Sequence, residues 1–196
     1  MTLIEHWKSA WLKIEDLYNK GRICSERHLQ SEFFHIFLSD KEFMKKYMIH
    51  VEPTIYSDNR DHKERKITGI KPDILITKGQ KIVAYVELKY VPNSYIQYEK
   101  DIHNFSKIYF YRGKDFPIYL KVNPINGDWN YEDKYTFDKD LMLIYAMIIN
   151  QKSDFITLRE RIWSLKEYMF SEKPRYLYLI GIVNNKTAPE FSIEPK

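Results

Sequence analysis

Ile70-Lys71-Pro72-Asp73-Ile74-Leu75-Ile76, then Thr77-Lys78-Gly79-Gln80, then Lys81-Ile82-Val83-Ala84-Tyr85-Val86-Glu87-Leu88-Lys89: this stretch decides how the chain is read. Its two flanks are apolar and rich in β-branched residues, as strands are, and a short glycine-bearing link joins them. A hairpin is therefore expected. Thirteen residues separate Asp73 from Glu87, so the hairpin sets these two carboxylates side by side at one end of a sheet. Lys89 lies two residues beyond Glu87 and projects to the same face, because side chains alternate along a strand.

Outward from the hairpin, helical and strand periods alternate. Leu3, Trp7, Trp11, Ile14 and Leu17 recur at helical spacing and predict an amphipathic helix over about residues 2–19, ended by Gly21. Ser25 is placed to cap a second helix over about 26–38, with Leu29, Phe33, Ile36 and Phe37 as its apolar stripe. Residues 47–56 read as a strand with a bend at Pro53, and 57–69 as a polar loop. Ser94 is positioned to cap a third helix over about 95–110, with Ile102, Phe105 and Ile108 facing inward. A short strand is expected at 118–122 and an irregular insertion at 123–140. A buried strand follows at 141–149, then a helix at 153–169, a last strand at 176–183 and a loose tail at 184–196. The order helix, helix, three strands, helix, strand, helix, strand predicts a single α/β domain. One mixed central sheet is flanked by helices, the first three strands form a meander, and the strand–helix–strand steps give parallel neighbours.

The bulk composition narrows the class. A chain of 196 residues that is 44% hydrophobic and 30% charged is one domain of ordinary size with a sizeable core. A net charge of +4 is mild basicity, compatible with a polyanionic partner. A single cysteine, Cys24, excludes an intrachain disulfide and a cysteine-rich zinc site and fits a reducing compartment. The charged start, Met1-Thr2-Leu3-Ile4-Glu5-His6-Trp7-Lys8, does not resemble a secretory signal, and the longest apolar run, 141–149, is too short to span a bilayer as a helix. A cytoplasmic protein without a membrane partner is expected. No His-Glu-X-X-His, Walker or Gly-X-Ser-X-Gly sequence occurs, so zincin, ATP-driven and serine-hydrolase chemistry have no basis here.

The hairpin carries the chemistry. Mg²⁺ (or Mn²⁺) prefers hard oxygen ligands and keeps several waters. Asp73, Glu87 and the backbone carbonyl of Leu88 would supply three protein oxygens, with phosphate and water completing the shell. Such an ion lowers the pKa of a bound water and stabilises charge on a phosphoryl transition state. The Lys89 ammonium would orient the attacking water or balance charge on the scissile phosphate.

Lys71-Pro72-Asp73 followed by Val86-Glu87-Leu88-Lys89-Tyr90 resembles the PD-(D/E)XK nuclease superfamily, the restriction-endonuclease-like fold. The resemblance covers roughly residues 25–110 and the strand at 141–149. Residues 1–24 would then be an N-terminal helical extension. The resemblance implies an α-β-β-β-α-β core and Mg²⁺-dependent phosphodiester hydrolysis, with Asp73 and Glu87 as metal ligands and Lys89 in the catalytic position. DNA is the expected substrate rather than RNA, and a homodimer would suit the cutting of two strands. The superfamily usually adds an acidic residue from the first core helix. Here Glu26 falls near the centre of that helix's apolar stripe, with Gln30 one turn on, and Glu32 at its margin is the reserve. A catalytically silent nucleic-acid-binding or protein-interaction module on the same scaffold is the alternative.

Three further sets of residues suit a polyanion. Arg60, Lys63, Arg65 and Lys66 lie in the polar loop, with Lys71 just beyond it. Trp129, Tyr131 and Tyr135 are candidates for a substrate-facing aromatic cluster, and Tyr111-Arg112-Gly113-Lys114 for a phosphate contact.

Overall fold

The computed structural model describes residues 1–57, 68–92, 99–115, 117–121, 134–150, 155–157, 159–160, 175–183 and 190–195. Within them the chain is an α/β protein with a mixed central sheet, mostly antiparallel, flanked by helices. Its elements are α1 (Leu3–Asn19), α2 (Glu26–Ser39), a one-turn α3 (Lys41–Met44), β1 (Met48–Val51), β2 (Thr54–Ser57), β3 (Thr68–Ile70), β4 (Ile74–Lys78), β5 (Lys81–Val91), α4 (Glu99–Phe110), β6 (Ile118–Lys121), β7 (Lys134–Ile149), β8 (Arg175–Ile182) and β9 (Glu190–Pro195).

The helix starts follow from local chemistry. Thr2 and Glu5 form a reciprocal capping box on α1, each side chain accepting the other's backbone N–H. Ser25 Oγ accepts the His28 N–H and opens α2. Gly21 takes a left-handed φ of 70° just past α1, where a side chain would be strained.

The expected hairpin forms. β4 and β5 pair antiparallel around a turn in which Gly79 has φ 54°. β1 lies antiparallel to β4, and β7 lies parallel to β5, with α4 in the connection between them. β8 adds parallel to β7, and β9 antiparallel to β8. The predicted meander is present, and β7 and β8 supply parallel neighbours, whereas β6, the strand expected at 118–122, is antiparallel to both β2 and β7.

Four boundaries differ from the sequence reading. The single strand expected at 47–56 is two strands, because Glu52 turns the chain at φ 47° and Pro53 follows. β1 stays beside β4, while β2 leaves to pair with β3 and β6. The apolar run Ile70–Ile76 is also broken: Ile70 closes β3, and β4 starts only after Pro72 and Asp73. Lys134–Asp140, placed in the irregular insertion, are the first half of β7; Lys134 and Tyr135 pair with β6, Thr136 and Phe137 with β5, and a register shift follows before Met142 resumes beside Ala84. Glu190–Pro195, placed in a loose tail, are β9. Tails and polar segments become ordered where a sheet edge offers unpaired backbone groups. Most of the helix expected at 153–169 lies outside the described residues, but 155–157 and 159–160 are helical.

Two apolar layers sandwich the sheet. On one face Ala84, Val86 and Leu88 of β5 pack under α1 and α2 with Trp7, Trp11, Leu29, Phe33 and Phe37. On the other face Tyr85 of β5 and Tyr145 of β7 pack under α4 with Ile102, Phe105 and Ile108. Trp7 is completely buried, its ring 5.1 Å from Phe33 and 4.6 Å from Phe37. Trp7→Ala is therefore expected to cost about 3–5 kcal/mol in denaturant unfolding. A loss below about 1 kcal/mol would show that α1 is not integral to this layer.

Candidate active site

β5 alternates its side chains between the two layers, so Tyr85, Glu87 and Lys89 share the α4 face while Val86 and Leu88 point to the α1–α2 face. Asp73 precedes β4, at the end of the hairpin where Glu87 lies, since Ile74 pairs with Val86. Its place is fixed from three sides. The Asp73 carbonyl accepts both the Glu52 N–H (3.0 Å) and the Gln30 amide (3.0 Å). The carboxyl Oδ2 accepts the Leu88 N–H at 2.6 Å. N–H and C=O of one strand residue point to the same side, so the Leu88 carbonyl also faces the side where β4 has ended.

Glu87 is buried, and its Oε1 accepts the Tyr85 hydroxyl at 2.7 Å. Asp73 and Glu87 lie close enough to influence each other's ionisation. Burial pushes the Asp73 carboxyl up to about 6; the Leu88 N–H opposes this, and the Glu26 carboxylate adds to it. Burial, then the charges of Asp73 and Asp101, raise Glu87 well above the ordinary carboxylate range. The Asp73 charge thus opposes the ionisation of Glu87, whereas Glu87 favours that of Asp73.

Lys89 faces a different acid. Its Nζ lies 3.0 Å from Asp101 Oδ2, with the two side chains only 17% and 8% exposed. Burial disfavours the ammonium, but Asp101 first, then Glu26 and Glu87, outweigh it and raise Lys89 above the usual lysine value. Asp101 Oδ2 also accepts the Tyr145 hydroxyl at 2.6 Å. Phe105 stands edge-on between the two tyrosines, 5.4 Å from Tyr85 and 5.7 Å from Tyr145.

Asp73, Glu87 and Lys89 are therefore brought together as expected. Glu26 is half-buried at the start of α2, not at the centre of a buried stripe, and its field reaches both Asp73 and Lys89. Glu32 is also half-buried. Among the described residues no three His, Cys, Asp or Glu side chains converge closely enough to hold a metal. The expected third carboxylate, Glu26, thus acts on Asp73 and Lys89 through its charge.

Asp101 went unnoticed in the sequence, although a signal was there. At helical spacing it shares a stripe with Phe105 and Ile108, and an acid in a buried stripe calls for a partner. The remaining candidates have different fates. Tyr135 is buried beside the His50 ring and belongs to the core, not to a substrate-facing cluster. Trp129, Tyr131, Arg60, Lys63, Arg65 and Lys66 lie outside the described residues. In the turn after α4, Arg112 stacks 3.8 Å from the Tyr109 ring and Lys114 3.3 Å from the Phe110 ring, so both cations already lie on aromatic faces. Lys71 is exposed.

The donor chemistry fits a hard divalent cation. The half-buried Asp73 carboxyl, the buried Glu87 carboxyl and the Leu88 carbonyl lie at one end of the hairpin, and the local acids outnumber the one ammonium. Mg²⁺ binds through one or two carboxylates and retains waters, so a third side chain is not required. No helix among the described residues is long and apolar enough to cross a membrane. The chain matches no family model, no curated protein and no solved structure.

Proposed function

We propose that this chain is a divalent-metal-dependent nuclease of the restriction-endonuclease-like fold, hydrolysing phosphodiester bonds in DNA. The observation that carries the reading is the meeting of Asp73, Glu87 and Lys89 at one end of the β4–β5 hairpin. The order α2, β1, β4, β5, α4, β7 follows the α-β-β-β-α-β succession that the resemblance implies, with the β2–β3 pair and β6 as additions.

Asp73 and Glu87 would hold Mg²⁺ or Mn²⁺, assisted by the Leu88 carbonyl and the field of Glu26. When bound, the ion supplies Lewis acidity toward a phosphoryl oxygen and a more acidic water. The protein does the rest by placement. Gln30 and Glu52 hold the Asp73 backbone, Leu88 orients its carboxyl, and Tyr85 orients that of Glu87. Lys89 stays an ammonium, suited to donating a hydrogen bond to a water or a phosphate oxygen rather than to removing a proton.

The test is incubation with duplex DNA, single-stranded DNA and RNA in Mg²⁺ or Mn²⁺. Metal-dependent cleavage that EDTA abolishes, with duplex DNA the preferred substrate, is expected. Nucleic-acid binding without cleavage would favour a silent binding module on the same scaffold, as would metal addition that leaves the melting temperature unchanged.

A further inference from the structure

We infer that Asp101, reaching down from α4, is the positioning residue that fixes the Lys89 ammonium at the site; this inference rests on the nuclease reading for its functional meaning. A lysine head on a four-carbon stem is mobile unless something holds it. Here Asp101 Oδ2 receives two donors at once, the Lys89 ammonium at 3.0 Å and the Tyr145 hydroxyl at 2.6 Å. The hydroxyl comes from β7, the ammonium from β5 and the carboxylate from α4, so three elements meet on one oxygen. Tyr145 is itself buried and braced by Phe105, one helical turn beyond Asp101. The carboxylate therefore cannot swing to follow the lysine; the lysine must come to it. Tyr85 gives Glu87 the same kind of support at 2.7 Å. In this arrangement α4 takes part in the site by aligning Lys89 with the Asp73–Glu87 pair, and Asp101 touches neither the metal carboxyls nor a substrate.

Two readouts test this on the full chain. The first needs neither metal nor DNA: the ¹H–¹⁵N spectrum of the lysine ammonium groups, with Lys89 assigned by its loss in Lys89→Met. A held ammonium exchanges slowly and gives a resolved signal. That signal is expected in the wild type, absent in Asp101→Asn and recovered in Asp101→Glu. Its persistence unchanged in Asp101→Asn overturns the proposal. The second is cleavage of duplex DNA with Mn²⁺. Asp101→Asn is expected to lower kcat by about 10–100-fold with KM changed less than about twofold, as for a misplaced group, and Asp101→Glu to recover part of the loss. An unchanged kcat also overturns it. Should Asp101→Asn fail to fold, Tyr145→Phe carries the same readouts: a broadened Lys89 signal and a reduced kcat support the proposal, and no change in either defeats it. If the wild type cleaves nothing, the nuclease reading falls, and the ammonium signal alone still decides whether Asp101 holds Lys89.

Discussion

Asp73→Asn is expected to be inactive and, above pH 6, more stable than the wild type. Asparagine keeps an oxygen to accept the Leu88 N–H, so the strand-end contact survives. What it removes is a half-buried charge that the fold resists. The Asp73 pKa rises from 3.8 to about 6 on folding, chiefly by burial and further by Glu26. The folded state therefore holds this proton more tightly than the unfolded chain. Stability from that proton is fully present below about pH 4 and is lost as pH rises through about 6. The substitution escapes that loss, which amounts to about 2–3 kcal/mol at neutral pH. Urea melts at pH 4 and pH 8 check it: near-equal stability at pH 4 and an advantage for Asp73→Asn at pH 8 are expected. If the variant is the weaker protein at both values, the carboxylate is a structural strut and not a metal ligand. Metal binding works against the same protons, so Mn²⁺ should stabilise the wild type more at pH 8 than at pH 5 and leave Asp73→Asn unaffected.

Lys89→Met is expected to reduce kcat by about 10²–10⁴-fold, the range for loss of a proton-transferring or charge-stabilising group. It also strands Asp101 in the core with Tyr145 as its remaining partner, at a cost of about 3 kcal/mol. The two effects separate in the double variant Lys89→Met with Asp101→Leu. Replacing both members of a buried pair by apolar groups restores much of the stability, while activity stays lost. Cleavage by Lys89→Met at the wild-type rate would remove Lys89 from the chemistry altogether.

Much of the site was legible because it is local. Asp73, Glu87 and Lys89 lie on one hairpin, and a turn of known length fixes both register and face. The flanking helices were legible from their stripes and from Gly21 and Ser25 at their ends. Contacts distant in sequence were harder to read. Nothing near Asp73 announces that Gln30 and Glu52 share its carbonyl, and nothing near Lys89 announces Asp101 twelve residues on. β7 and β9 were misjudged for a related reason. Lys134–Asp140 and Glu190–Pro195 are polar enough to read as loops, and only pairing with β5, β6 and β8 makes them strands. The break at Glu52-Pro53 shows the limit of apolar runs as a guide, since one positive φ sends β1 and β2 to different neighbours.

The central claim is that Asp73 and Glu87 together grip a divalent cation beside Lys89. Anomalous diffraction from crystals soaked in Mn²⁺ tests it directly. A peak shared by the two carboxyls, at about 2.0–2.2 Å from their oxygens, is the expected result. Full Mn²⁺ occupancy elsewhere on the chain, with the Asp73–Glu87 pair bare, would contradict it.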